Sequence, residues 1–137
     1  MRVFLDSSAL VKRYIEEPGS GRIAELMHKA SEIAVSIICV PEVISACNRL
    51  VREKKITADQ YKWIKKEFLL DLGEVIVIDL SNEIIGRAIQ CLEKGATRSL
   101  DALHVASAVE IKSKLFVTAD ERQRVIARRM GLKVELI

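Results

Sequence analysis

The chain is poor in aromatic residues: Phe, Tyr and Trp together make up 4% of its 137 residues. That leaves too few rings for an extended platform on which successive bases could stack. Cysteine is scarce as well. Cys39, Cys47 and Cys91 are odd in number and form no C-x-x-C pair. A disulfide framework and a zinc site are therefore not expected, and the cysteines read as small buried hydrophobes. No apolar stretch approaches the roughly 18–20 residues of a membrane span. No Gly-x-x-x-x-Gly-Lys loop exists, which removes P-loop phosphate chemistry. Internal repeats, low-complexity segments and long linkers are also missing. The first apolar run starts at Val3, leaving no room ahead of it for a signal peptide. The expectation is a soluble, cytoplasmic protein with no membrane association.

What is present suits a buried core. Half the residues are hydrophobic and the mean hydropathy is +0.17. The length fits one compact domain, expected to span residues 1–137. Lys and Arg number 22 against 19 Asp and Glu, a formal charge of +3. This mild excess permits a polyanionic partner without demanding one.

Short apolar runs alternate with helical patterns. Val3–Leu5, Ile33–Ile38, Val75–Ile78, Leu115–Thr118 and Lys133–Leu136 read as strands. Between them, apolar residues recur at helical spacing, as in Ile23, Leu26, Met27 and Ala30, or Val43, Ile44, Cys47, Leu50 and Val51. A helix is expected from about Ser8 to Tyr14. Thr57, Ser81 and Ser99 read as N-caps, and Gly73, Gly95 and Gly131 as helix stops. Continuous apolar strands alternating with helices predict a three-layer α/β/α sandwich around a central parallel sheet. Ligands of such sheets bind beyond the carboxyl ends of the strands, where the strand order switches.

Acids stand at those ends. Asp6 follows Val3-Phe4-Leu5, and Asp120 follows Leu115–Thr118 by one residue. Glu42 lies early in the helix after the second strand, and Asp101 near the start of another. Each has an ordinary reading. Asp6 can cap a turn with Ser7 and Ser8, Asp120 can cap its helix, and Glu42 and Asp101 suit a helix first turn. Placed together, though, clustered carboxylates repel one another unless a cation intervenes. Oxygen ligands of this kind suit Mg²⁺ or Mn²⁺, and such ions serve phosphate chemistry.

Four stretches in order resemble the motifs of the PIN domain family, and in particular the VapC-type toxins of bacterial and archaeal toxin–antitoxin pairs. They are Val3-Phe4-Leu5-Asp6-Ser7-Ser8-Ala9-Leu10, Pro41-Glu42-Val43, Arg98-Ser99-Leu100-Asp101-Ala102-Leu103-His104, and Phe116-Val117-Thr118-Ala119-Asp120 with Gly131–Val134. The resemblance spans essentially the whole chain, and none of the acids of the pattern is missing. It implies a PIN-like fold and a Mg²⁺-dependent endoribonuclease, with Mn²⁺ as a possible substitute, acting on RNA and held by a cognate antitoxin. It also implies a homodimer, for which the 58–72 helix is a candidate interface. By carry-over, Asp6 and Asp101 are the principal metal ligands and Glu42 completes the pocket. Asp120 orients the attacking water or holds a second ion. Ser7 and Thr118 support the acids. Among the basic residues, Arg98, at the head of the third stretch, is the one singled out for substrate phosphate contact. The alternative is a catalytically idle PIN module that binds RNA or a protein.

Other α/β phosphoryl-transfer folds fit less well. A receiver places a lysine after a late strand, where this chain has Thr118-Ala119-Asp120. A dehalogenase needs a second Asp two residues after the first, where this chain has Ser8. His104, three residues after Asp101, shares a helix face with it and could touch the pocket edge or substrate, but it reads as a structural histidine because the carboxylates already suffice. His28 earns no role. Trp63 stands on a lysine-rich helix and, if exposed, marks a partner surface.

Overall fold

A computed structural model describes residues 1–137. β1 (Arg2–Leu5) leads through the one-turn α1 (Ser7–Leu10) and a 3-10 turn (Val11–Arg13) into α2 (Ser20–Lys29). Next come β2 (Glu32–Ser36), α3 (Cys39–Arg52), α4 (Ala58–Asp71) and β3 (Ile76–Ile78). The chain finishes with α5 (Asn82–Lys94), α6 (Ser99–Glu110), β4 (Leu115–Thr118), α7 (Glu121–Arg129) and β5 (Val134–Leu136). The five strands form one sheet in the order β3-β2-β1-β4-β5, and every pairing is parallel.

The pleat sorts the strand side chains into two cores. Val3, Leu5, Ile33, Val35, Leu115 and Val117 face one way, against α1, α2, α3 and α4. Phe4, Ala34 and Phe116 face the other way, against α5, α6 and α7. Phe4 and Phe116 stack across the β1–β4 pair with centroids 5.6 Å apart. Two apolar faces require two helical layers, and this gives the expected three-layer sandwich.

Local signals set most helix ends. Thr57 caps α4 in a reciprocal capping box with Gln60, and Ser81 caps α5 through the Ile84 N–H. Gly131 takes φ +88°, the left-handed conformation that suits glycine after a helix. Some expected boundaries move. β2 stops at Ser36, because Ile37 already turns and α3 begins at Cys39. The expected Ser8–Tyr14 helix is one α-turn beginning at Ser7, followed by a 3-10 turn. Ser99 is the first residue within α6 and does not cap it. Arg98 holds the cap position without a side-chain bond.

The topology decides where a site can form. From β1 the chain builds outward through β2 to β3, then returns to the opposite side of β1 to lay down β4 and β5. The strand order therefore switches between β1 and β4, and their carboxyl ends border a crevice.

Truncating the stacked ring tests this core. Phe116→Ala should lower the unfolding free energy by about 3–5 kcal/mol. Trp63→Ala, at a position 61% exposed, should change it by less than about 0.5 kcal/mol. Urea denaturation of the two variants beside the wild type measures both.

Candidate active site

Asp6 and Asp120 arrive at the switch point from adjacent strands. The Asp6 N–H donates to the Val117 carbonyl at 3.2 Å, which fastens the end of β1 to β4. Asp6 is 3% exposed and each of its carboxylate oxygens accepts at least one hydrogen bond. Oδ1 accepts from the Ser8 hydroxyl at 2.7 Å and the Ala9 N–H at 3.0 Å, and Oδ2 accepts from the Thr118 hydroxyl at 2.5 Å. Burial pushes the Asp6 carboxyl above its ordinary value, against His104, these two hydroxyls and the Ala9 N–H.

The support extends to Asp120. Ser8 Oγ also accepts the Ala119 N–H at 2.9 Å, and Thr118 Oγ1 accepts the Asp120 N–H at 3.0 Å. Asp120 Oδ1 accepts the Arg122 N–H at 2.8 Å as the N-cap of α7. The ordinary capping readings of Asp6 and Asp120 are thus both present alongside their place in the cluster.

Glu42 reaches the crevice from the first turn of α3, in one helical layer. Its Oε1 accepts from the Ser7 hydroxyl at 2.8 Å and lies 2.5 Å from His104 Nε2. Burial works to raise its pKa, but the His104 bond and charge, with the Ser7 hydroxyl, outweigh it and hold the carboxyl below the usual range. Ser7 therefore supports Glu42, while Ser8 supports Asp6. His104 is buried, as a structural histidine should be. Its contact with Glu42 is one that sequence reading missed.

Asp101 comes from the first turn of α6, in the opposite layer. It is half-buried. Burial raises its pKa first, and repulsion from Asp120, Glu42 and Asp6 adds to this, against attraction from His104. All four acids therefore belong to one electrostatic cluster. Gln123, also missed, is buried in α7 and donates to the Asp101 carbonyl at 3.0 Å.

Two clefts open beside the cluster. One, of roughly 480 Å³, is lined by Thr97, Arg98, Asp101, Asp120, Arg122 and Gln123. The other, of roughly 370 Å³, includes Ser7, Ser8, Lys12, Glu42, Arg49 and Ala119. Lys12 is committed to Glu17 and the Pro18 carbonyl. No three His, Cys, Asp or Glu side chains stand at the spacing of a ready-made metal cage. The donor set still fits a hard cation, since the four acids offer oxygen alone and Mg²⁺ commonly takes one or two carboxylates with water.

A parallel α/β/α sheet whose switch point carries four carboxylates, flanked by arginines, defines an acid-centred site suited to phosphate chemistry. The chain belongs to the PIN domain family, whose model matches residues 3–129. It is similar to Ribonuclease VapC47 of Mycobacterium tuberculosis, with 29% identity over 135 residues covering 94% of this chain and 92% of that protein. The fold is shared with FitAcB from Neisseria gonorrhoeae, at a TM-score of 0.74 and 12% identity over 96% of this chain and 95% of that one. It is also shared with VapBC2 from Rickettsia felis, solved bound to a DNA fragment from their promoter. That match has a TM-score of 0.71 and 17% identity, covering 100% of this chain and 99% of that one. No helix is long and apolar enough to cross a membrane.

The strain at Asp101 has a measurable sign. A carboxyl whose folded pKa is raised favours the folded state most when protonated. That contribution is complete below the ordinary value of 3.8 and is lost as pH rises through the folded pKa. Asp101→Asn should therefore melt a few degrees above metal-free wild type at neutral pH. The gap should close as the pH falls through the raised folded pKa and be gone near the ordinary value of 3.8, where both states hold the proton. Thermal melts across pH in EDTA test this, and a gap that widens toward acid refutes it.

Proposed function

We propose that the protein is a divalent-metal-dependent endoribonuclease that hydrolyses RNA phosphodiester bonds, as the toxin of a type II toxin–antitoxin pair. The observation that carries this reading is the acid cluster at the switch point, drawn from both helical layers and flanked by arginine-bearing clefts. The similarity to a ribonuclease over nearly the full chain supports it.

Asp101 and Asp6 would hold the cation. Asp101 is the more accessible of the two, and Asp6 is oriented by its three donors. Bound Mg²⁺ or Mn²⁺ offsets the repulsion among the acids and supplies Lewis-acid assistance at the phosphate. Glu42 completes the acidic wall with Ser7 behind it. Asp120 is fixed by the Thr118 and Arg122 contacts, so it can accept a hydrogen bond from the attacking water. Arg98 and Arg122 line the cleft shared with Asp101 and Asp120, where they bind the phosphates of the strand. Arg49 offers a further cation in the second cleft.

The natural partner is a cognate antitoxin, and the protein is a homodimer in this reading. The exposed face of α4 supplies a docking surface, with Trp63 61%, Leu69 47% and Leu70 61% exposed. A second reading is a catalytically idle PIN module that binds RNA or a protein.

Cleavage of RNA with Mg²⁺ or Mn²⁺ separates the two readings. Wild type should cut and EDTA should abolish cutting, while Asp6→Asn and Asp101→Asn should each lose about 100-fold or more in rate. RNA binding by wild type without cleavage under either metal selects the idle module. Arg98→Ala should raise KM more than it lowers kcat and should flatten the salt dependence of binding. Titration of fluorescent RNA at several salt concentrations provides that measurement.

A further inference from the structure

His104 is the buried polar group that the proposed chemistry leaves unused. It is 1% exposed and lies edge-on to Phe4, with ring centroids 6.4 Å apart. Its two nitrogens have different surroundings. Nε2 lies 2.5 Å from Glu42 Oε1 and 3.2 Å from Ser7 Oγ, whereas Nδ1 is buried without a hydrogen-bond partner. A proton on Nδ1 would be a buried, unsatisfied donor, and Nε2 would then set a lone pair against a carboxylate oxygen. Nε2 therefore carries a proton, directed at Glu42.

This bond acts on one oxygen. Glu42 Oε1 receives both the imidazole and the Ser7 hydroxyl, while no hydrogen bond of the structure ends on Oε2. Glu42 lines a cleft beside the site, so Oε2 is the oxygen left for that cleft. His104 sits on α6 and Glu42 on α3, in opposite layers, so the bond ties the layers together beyond the sheet edge. One turn earlier on the same helix stands Asp101.

We propose that His104 is a positioning residue for Glu42, holding Oε1 back with Ser7 so that Oε2 stays free for the cleft. This rests on the nuclease reading in taking Glu42 as part of the working pocket. His104 is not itself a catalytic residue, since its protonated nitrogen is occupied by Glu42 and the ring is closed to solvent. Ligand-orienting hydrogen bonds of this kind govern how well a carboxylate meets a cation.

Three variants test the inference: His104→Leu, His104→Gln and Glu42→Gln. Thermal melting first confirms that each is folded. In ¹⁵N-edited NMR, wild-type His104 should show a protonated Nε2, and its ring signals should shift in Glu42→Gln. By calorimetry without RNA, His104→Leu should bind Mn²⁺ about 10-fold more weakly than wild type. His104→Gln, whose amide nitrogen can replace Nε2, should recover most of that loss. Ring signals indifferent to Glu42→Gln, or a folded His104→Leu with undiminished Mn²⁺ affinity, overturn the proposal. A wild type that neither binds Mn²⁺ nor cuts RNA defeats the nuclease reading instead, and the ring signals then decide the His104–Glu42 contact alone.

Discussion

A carboxylate placed where water scarcely reaches is the constraint around which the rest of this site is built. Asp6 must occupy the end of β1, at the switch in strand order, and there it is 3% exposed. An unpaired carboxylate in such surroundings would be costly. Three donors offset that cost, two from the turn of α1 and one from the end of β4. The same two hydroxyls then receive the N–H groups of Ala119 and Asp120. Solving the burial of Asp6 therefore also fixes the backbone that carries Asp120. The two acids are coupled through Ser8 and Thr118 and not by any direct contact.

The remaining acids depend on the layers. Glu42 comes from a helix on one face of the sheet and Asp101 from a helix on the other. Each lies in a helix first turn, where the N-terminal end of the macrodipole favours negative charge. Neither helix alone would bring them near Asp6. The sheet edge does so, because α3 and α6 both begin on the side where β1 and β4 end. Burial raises the Asp101 carboxyl first, and Asp120, Glu42 and Asp6 add to it, so the four groups share one field. The fold assembles repulsion here and then surrounds it with arginine side chains, at Arg98 and Arg122 in one cleft and Arg49 in the other.

Much of this could be read from the chain before any coordinates. Continuous apolar runs and period-3.6 patterns place the strands and helices, and the capping chemistry of Thr57 and Ser81 holds in the structure. Strand-end logic brings Asp6 and Asp120 to one edge. The parts that could not be read have specific causes. Adjacent helical residues point about 100° apart, so the partner of each hydroxyl depends on where α1 begins. Beginning at Ser7, it gives Ser7 to Glu42 and Ser8 to Asp6. His104 meets a residue 62 positions away on another helix, a pairing that depends on how two layers close over a sheet edge. Gln123 shows no periodic signal that separates a buried amide from an exposed one, although it donates to the Asp101 carbonyl.

Two of the acids serve structure and chemistry at once, and this governs what substitutions can reveal. Asp6 caps α1 and Asp120 caps α7 through side-chain oxygens. Replacing either with alanine removes a cap, worth about 0.5–2 kcal/mol, together with any cation ligand, and so confounds unfolding with inactivity. Asparagine keeps an oxygen for the backbone N–H and caps about as well as aspartate, while it removes the charge. Glu42 and Asp101 cap nothing: neutralising Glu42 weakens its charge-assisted bonds to His104 and Ser7 as well as a first-turn macrodipole interaction, whereas neutralising Asp101 trades that macrodipole interaction for relief from burial and repulsion. The amide series thus removes the charge at all four positions with little loss of helix capping. What such a series reports is the electrostatics of the cluster, which is the property that distinguishes this sheet edge from any other in the fold.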